Sequence, residues 1–398
     1  MTTPLSSFAD VFNGKTPSRS EQRGKGHPVL KVKDVDGRGH FVGTFDSYVD
    51  FDFVEAFRQK LIRRGDTLIL NAAHNADYVG SKIYKAQNGV VGALATGEWL
   101  IVRPKRGKLA GSFAYHWLLY GETRQRVRKL VKGIHLYPKD VGQMRVVFPK
   151  LQEQKRIATL LNKAEAVLIK RRQTIENLNS LLKSIFLGMF DDPISKGWAM
   201  TNIAEIVKPV NGSIRTGPFG SQLLHGEFTD EGVAVLGIDN AVANEFRWGQ
   251  RRFISESKYR QLARYTVHPG DVLITIMGTC GRCAVVPDKI PRAINTKHLC
   301  CITLDRTKCL PTFLHAYFLQ HPMARKYLAQ RAKGAIMSGL NMGIIKAMPV
   351  PLPPVELQRE FARQVAAVER LKRAQQESLK KLDTLFTSLQ HRAFRGEL

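Results

Sequence analysis

The stretch Ile157-Ala-Thr-Leu-Leu161-Asn-Lys-Ala164-Glu-Ala-Val-Leu168-Ile-Lys-Arg171 opens a seam that decides the fold. The seam continues through Ile175, Leu178, Leu182, Ile185 and Met189, at alternating steps of four and three. That spacing keeps one helix face against a partner over many turns, the pattern of a coiled coil. The seam returns 204 residues later as Phe361, Val365, Val368, Lys372, Gln375, Leu379, Leu382, Phe386, Leu389 and Ala393. Nine of ten positions are apolar in the first copy and eight of ten in the second, more than an ordinary amphipathic surface helix needs. The flanks repeat too: Pro149-Lys-Leu-Gln-Glu-Gln-Lys-Arg-Ile157 aligns with Pro353-Pro-Val-Glu-Leu-Gln-Arg-Glu-Phe361. A period this long marks a duplicated domain-plus-helix unit, since solenoid repeats run from about 20 to 50 residues.

Outward from the seam, Pro149 and the cluster Pro351, Pro353 and Pro354 hold the preceding backbone extended, so each helix begins just after them. Ile157 to Met189 spans 33 residues, about 50 Å of helix. The first helix is expected to end near Gly188 and Asp191-Asp192-Pro193, the second at Gly396. Neither is stable alone with its seam exposed, and the economical solution is that the two pack on each other. Packing of each helix on its own domain or on a partner chain is the competing arrangement. The segments between read as mixed α/β. Expected strands are Val29–Val35, Asp66–Leu70 and Trp99–Val102 in the first half, and Val233–Ile238, Asp271–Ile276 and Leu299–Leu304 in the second. Helical stretches follow at Phe113–Tyr120 and Pro311–Gln320, then basic ones at Arg124–Lys132 and Met323–Lys333. The expected fold is therefore two mixed α/β (α+β) domains, duplicated and joined by two long helices in an antiparallel coiled coil with pseudo-twofold symmetry. The expected boundaries are residues 1–148 and 193–352 for the domains, with 149–192 and 353–398 for the helices.

Composition narrows the function. The net charge of +27 points to a polyanionic partner. The two globular segments carry 21 of those charges, so the partner belongs on the domains and not on the helices. No apolar run is long enough to cross a membrane and Met1–Phe8 has no signal-like core. All five cysteines lie in the second half, which is no disulfide framework, and a reduced cytoplasmic protein is expected.

At this point the chain resembles the DNA-specificity subunits of type I restriction–modification enzymes. The resemblance covers essentially its whole length. It rests on the duplicated order of domain then helix and on four strings: Thr216-Gly-Pro-Phe-Gly-Ser-Gln-Leu223, Gly278-Thr-Cys-Gly-Arg-Cys-Ala-Val-Val-Pro287, Ile294-Asn-Thr-Lys-His-Leu299 and Pro349-Val-Pro-Leu-Pro-Pro-Val-Glu-Leu-Gln-Arg359. The first half departs from these, with Ala73-His-Asn-Ala76 where the second has Gly278-Thr-Cys-Gly281. The resemblance implies two target-recognition domains, each reading one half of a gapped, asymmetric site on double-stranded DNA. It implies that the coiled coil sets the gap and docks two methyltransferase subunits, and that a restriction/motor subunit joins for cleavage. S-adenosylmethionine, ATP and Mg are then expected on those partners, and no cofactor on this chain. The alternative is a stand-alone DNA-binding regulator, or a scaffold in another defence complex, that uses the same architecture.

The chain lacks chemistry of its own. Adenine methylation needs an Asn/Asp-Pro-Pro-aromatic loop, and the only Asp-Pro is Asp192-Pro193, followed by Ile194-Ser195. Gly14-Lys15-Thr16 imitates a phosphate loop, but Pro17 follows where a helix must start. Asp239 with Glu256-x-Lys258 imitates a nuclease constellation, a pattern that arises readily in so charged a chain. Cys280-x2-Cys283 with Cys300 and His298 imitates a zinc site, because Cys300 and Cys301 alternate faces on a strand and His298 shares the face of Cys300. The first half does the equivalent job without cysteine, so no metal is assigned.

DNA contacts are expected from basic, amide and hydroxyl side chains on loops, and from glycines that let backbone approach the duplex. In the second half these are Arg215, Thr216, Gly217, Gly220, Lys297, His298, Lys333, Ser338 and Asn341. In the first they are Lys15, Arg19, Asn75, Tyr78, Lys82, Lys132 and His135.

Overall fold

The computed structural model describes residues 2–331 and 339–398. Two long helices dominate it, Leu151–Phe190 and Val355–Arg395. Their starts are fixed by one repeated device. Gln154 is buried; its Nε2 donates to the carbonyls of Pro149 (2.9 Å) and Lys108 (3.2 Å), and its Oε1 accepts from the Ala110 N–H (2.9 Å). Gln358 does the same with Pro353 (2.9 Å), Lys308 (3.0 Å) and the Leu310 N–H (2.8 Å). Each glutamine thus satisfies orphan groups at a helix entry and at the start of the domain helix packed beside it. All twenty seam positions are buried or half-buried, and the residues between them are mostly exposed.

The chain forms two compact units, residues 1–172 with 377–398, and residues 173–376. In the first, an antiparallel sheet runs in the order Ala9–Asn13, Trp99–Pro104, Thr67–Leu70, Ile83–Lys85. A smaller sheet pairs His27–Leu30 antiparallel with Tyr48–Val49 and parallel with Leu94–Ala95. The core joins Ile69, Leu100, Val102, Phe113 and Leu118 to Ile157, Leu161 and Ala393 of the long helices. Further along, Arg172 Nη2 lies 2.8 Å from Asp383 Oδ1. Advancing on one helix while retreating on the other makes the pair antiparallel.

The second unit repeats the plan: Ile214–Thr216, Leu299–Ile302, Val272–Thr275, Cys283–Val285 in one antiparallel sheet. Val233–Leu236 lies antiparallel to Phe253–Ile254 and parallel to Ala293–Asn295 in the other. Here the end of the first helix meets the start of the second. The ring of Phe190 lies 5.3 Å from that of Phe361 and 5.0 Å from that of Phe313 on the domain helix Pro311–Gln320. Helix halves are therefore part of each unit's core.

Several expected strands stop early, among them Leu299–Leu304, which ends at Ile302, and Asp271–Ile276, which ends at Thr275. Val29–Val35 ends at Leu30 because the Asp34 carboxylate accepts the Lys31 N–H (2.8 Å) and turns the chain. Val233–Ile238 ends at Leu236, where Asn240 Oδ1 accepts the Gly237 N–H at 2.8 Å. No helix among the described residues is long and apolar enough to cross a membrane.

Candidate nucleic-acid interface

In each unit the edge strand of the four-stranded sheet ends on a glycine pressed into the loop that feeds the next strand. A Cβ on Gly14 would lie 2.2 Å from the carbonyl oxygens of Ala95 and Thr96, and one on Gly217 would lie 1.9 Å from that of Asn295. Gly217 is thus required by the chain's own packing, which corrects its assignment as a glycine that admits DNA. Gly220 is different: it is exposed, has φ +57° and has open space where a Cβ would sit.

This junction in the second unit opens into a cavity of about 660 Å³. Gly220, Lys297 and His298 line it together with Thr296, Gln250, Arg252 and Asp239. Burial, then the positive charges of Lys297 and Arg252, lower the His298 pKa. Its imidazole is neutral at physiological pH and able to donate or accept. Thr216 is half-buried on the strand leading in. Asp239 forms an ion pair with Arg252, while Glu256 pairs with Arg292 and Lys258 with Glu227, so the imitation nuclease triad is dispersed. Sequence reasoning missed Arg252 and Gln250; only the strand register, with Ala234 opposite Phe253, carries Arg252 to Asp239.

Three expected contacts, Arg215, Lys333 and Ser338, need correction or fall outside the described residues. Arg215 is 8% exposed, and its guanidinium is committed to Asp271 (2.6 Å), Thr303 Oγ1 (2.9 Å) and the Gly212 carbonyl (3.0 Å). It braces the sheet and is not available to DNA. Asn341, by contrast, stays exposed: its Oδ1 caps the helix Met342–Lys346 by accepting the Ile344 N–H at 2.9 Å, which leaves its amide NH2 for a ligand. Lys333 and Ser338 lie outside the described residues. The cysteines are packed apart: Cys283 and Cys300 flank Ile274 in the apolar core, Cys301 faces the second core, and His298 opens into the cavity. Burial pushes the Cys300 thiol up to about 12, the opposite of what a metal ligand needs.

In the first unit the candidates fall into two groups. Lys15 lies 4.8 Å from the centre of the Phe57 ring beside Gly14, and Arg19 is exposed on the turn that follows. Lys60 Nζ donates to the carbonyls of Asn13 (3.0 Å) and Gly14 (3.1 Å), and burial and the charge of Lys15 lower its pKa. Asn75 and Tyr78 are exposed on the loop between Leu70 and Lys82, and Asn75 Oδ1 accepts the Asp77 N–H at 3.0 Å. Lys132 and His135 lie on the neighbouring loop, tied to the first by the Leu136 N–H donating to Asn71 O at 2.8 Å. Lys132 pairs with Asp140 (2.7 Å), and both loop residues remain exposed. Arg124 and Arg128, not foreseen, donate to the carbonyls of Ser81 (3.1 Å) and Asp77 (3.2 Å) and fasten this loop. Lys82 is a correction: its ammonium donates to the Val32 and Val35 carbonyls and burial lowers its pKa, so it is a brace.

Comparison with known proteins follows the same division. The family model of the type I restriction modification DNA specificity domain matches residues 1–179 and 225–383. The chain is similar to the EcoBI specificity subunit of Escherichia coli, 26% identical over 430 residues that cover 99% of this chain and 85% of that one. It is also similar to the MjaVIII specificity subunit of Methanocaldococcus jannaschii, at 21% over 385 residues and 90% and 86% coverage. Among solved structures, the S subunit of a type I system from M. genitalium aligns over 99% of this chain and 96% of its own, with TM-score 0.59 and 15% identity. Because the family model matches both repeats of a chain whose two units share one strand order, the protein belongs to the type I restriction–modification DNA specificity family.

Proposed function

We propose that this chain is the non-catalytic DNA-recognition subunit of a type I restriction–modification complex, each unit reading one half of a gapped, asymmetric site. The observation that carries the reading is a duplicated scaffold with different loops. Both units have the same four-strand order and the same glutamine pin. Yet Lys297 and His298 stand at the junction in one unit, whereas Gly97 and Glu98 precede the matching strand in the other. A common frame with different side chains at its mouth suits two different half-sites. The paired helices set the gap, and methyltransferase subunits, two of them, dock along the helices and bring S-adenosylmethionine. A motor/nuclease subunit supplies ATP- and Mg-dependent cleavage. Partner docking is supported by Val167 and Leu371, and by Leu181 and Leu385, which are exposed, off the seam and equivalent under the 204-residue repeat.

The test is genome-wide adenine-methylation mapping in cells that carry the chain with its methyltransferase, against cells lacking only this chain. A gapped, asymmetric methylated motif that disappears with the deletion is the expected result. Identical methylation in both strains, with tight DNA binding by the purified protein, would shift the assignment to a regulator or scaffold.

A further inference from the structure

The cavity of the second unit holds one cation built differently from the rest. Arg252 stands just before the strand Phe253–Ile254, and its Nη2 donates to Asp239 Oδ1. Asp239 is itself wedged in place by two glycines. A Cβ on Gly237 would lie 2.7 Å from its Oδ1, and one on Gly249 would lie 2.1 Å from its Oδ2. The loop is also pinned at both ends by Asn240, which accepts the Gly237 N–H and donates to the Arg247 carbonyl, each at 2.8 Å. Arg252 Nε is buried without a partner, and Nη1 makes no hydrogen bond to any described residue. The side chain nevertheless remains 31% exposed at the cavity wall, beside Lys297 and His298. Arg215, which braces the sheet, also has a buried and unpartnered Nε, but it spends both of its Nη atoms on its own chain. Arg252 is oriented and left with a free donor.

We propose that Arg252, positioned by Asp239, is the specificity-determining residue of the second unit and reads one guanine of its half-site in the major groove. A guanidinium fork matches guanine O6 and N7, which no other base presents together, and an orienting carboxylate keeps the fork from swinging to a phosphate. The first unit lacks the device. There the corresponding turn carries Lys33, which pairs with Asp46 in the segment before the strand Tyr48–Val49, so the sign of the pair is reversed. An ammonium has no bidentate fork, and the guanine requirement at this place therefore belongs to one half-site only. The proposal rests on the DNA-recognition reading above.

The experiment uses the chain assembled with its methyltransferase and a duplex bearing the mapped motif, in which each guanine is replaced singly by 7-deazaguanine. With the unaltered protein, one guanine in one half-site should lose affinity by roughly 5- to 100-fold, the others little. Arg252→Gln should abolish that sensitivity and relax the same position in the methylation map, with the other half-site and the gap unchanged. Asp239→Asn should weaken it at the same position. Arg252→Lys should not restore it. No 7-deaza-sensitive guanine in either half-site, an Arg252→Lys protein equal to the original, or an even loss across all sequences with Arg252→Gln would each overturn the proposal. Because the unaltered protein is the first probe, poor folding of a variant does not spare the proposal. A chain that directs no motif at all would instead sink the recognition reading itself.

Discussion

A single amide decides how each long helix is mounted. Gln154 and Gln358 each bridge three backbone groups of two different segments, and both are buried. Losing such a side chain leaves backbone donors and acceptors unpaired in a dry site, a cost of about 3 kcal/mol. Gln358→Ala should lower stability by that order in urea denaturation, and Gln358→Glu should not rescue it, because a carboxylate cannot donate to the Pro353 and Lys308 carbonyls. A change below about 0.5 kcal/mol would show that the pin is idle. At this scale the sequence is a partial guide. The repeated Gln is visible in the aligned flanks, but nothing in them says that its amide is buried. Arg215 and Lys82 look like surface cations in sequence, and only the positions of Asp271 and of the Val32 and Val35 carbonyls turn them inward.

At the scale of elements, the seam was legible almost residue by residue, because a heptad repeat states both the helix and the face that is covered. The first helix runs from Leu151, two residues after Pro149, to Phe190, past both ends of the Ile157–Met189 seam. A charge placed on these half-buried seam positions loses apolar contact and part of its water, so Leu178→Asp or Leu382→Asp should cost about 2 kcal/mol and alter the spacing tolerance of the motif. Motif mapping with gaps lengthened by one base pair would check the second effect. Unchanged stability and unchanged spacing would remove these residues from the interface. Short strands were less legible. Their periodicity says where an apolar run lies, while the point at which Asp34 or Asn240 folds back on the chain depends on one side-chain hydrogen bond. The loop between Leu70 and Lys82 shows the same limit: it has eleven residues where the second unit has six between Thr275 and Arg282, so the two halves cannot be matched by string alignment there.

At the scale of the whole molecule, each unit fastens domain to helix through a buried imidazole. His116 Nε2 lies 2.9 Å from Asn162 Oδ1, and His321 Nε2 lies 3.2 Å from the Phe190 carbonyl. Burial lowers the pKa of both below 6.5. The folded state therefore binds fewer protons than the unfolded one, so this contribution is complete above pH 6.5 and is lost as pH falls below it. The slope is at most about 1.4 kcal/mol per pH unit for each histidine. Urea denaturation should thus show falling stability from pH 7 to pH 5, above the carboxylate range, with a shallower slope in His321→Gln. A flat profile would contradict neutral burial.

Sequence alone determined the duplication, the two helices with their covered faces, the mixed α/β character of the domains and the concentration of positive charge on them. All of these are periodic or summed properties, which local physics writes directly into the order of residues. Tertiary structure alone decided which cations are free. Arg252 and Asp239 lie 13 positions apart and meet through strand pairing, and Arg215 and Asp271 lie 56 apart and meet through a shared sheet. The charge of an arginine is local, but whether it faces a carboxylate of its own chain or the open cavity is settled only by what the fold brings beside it.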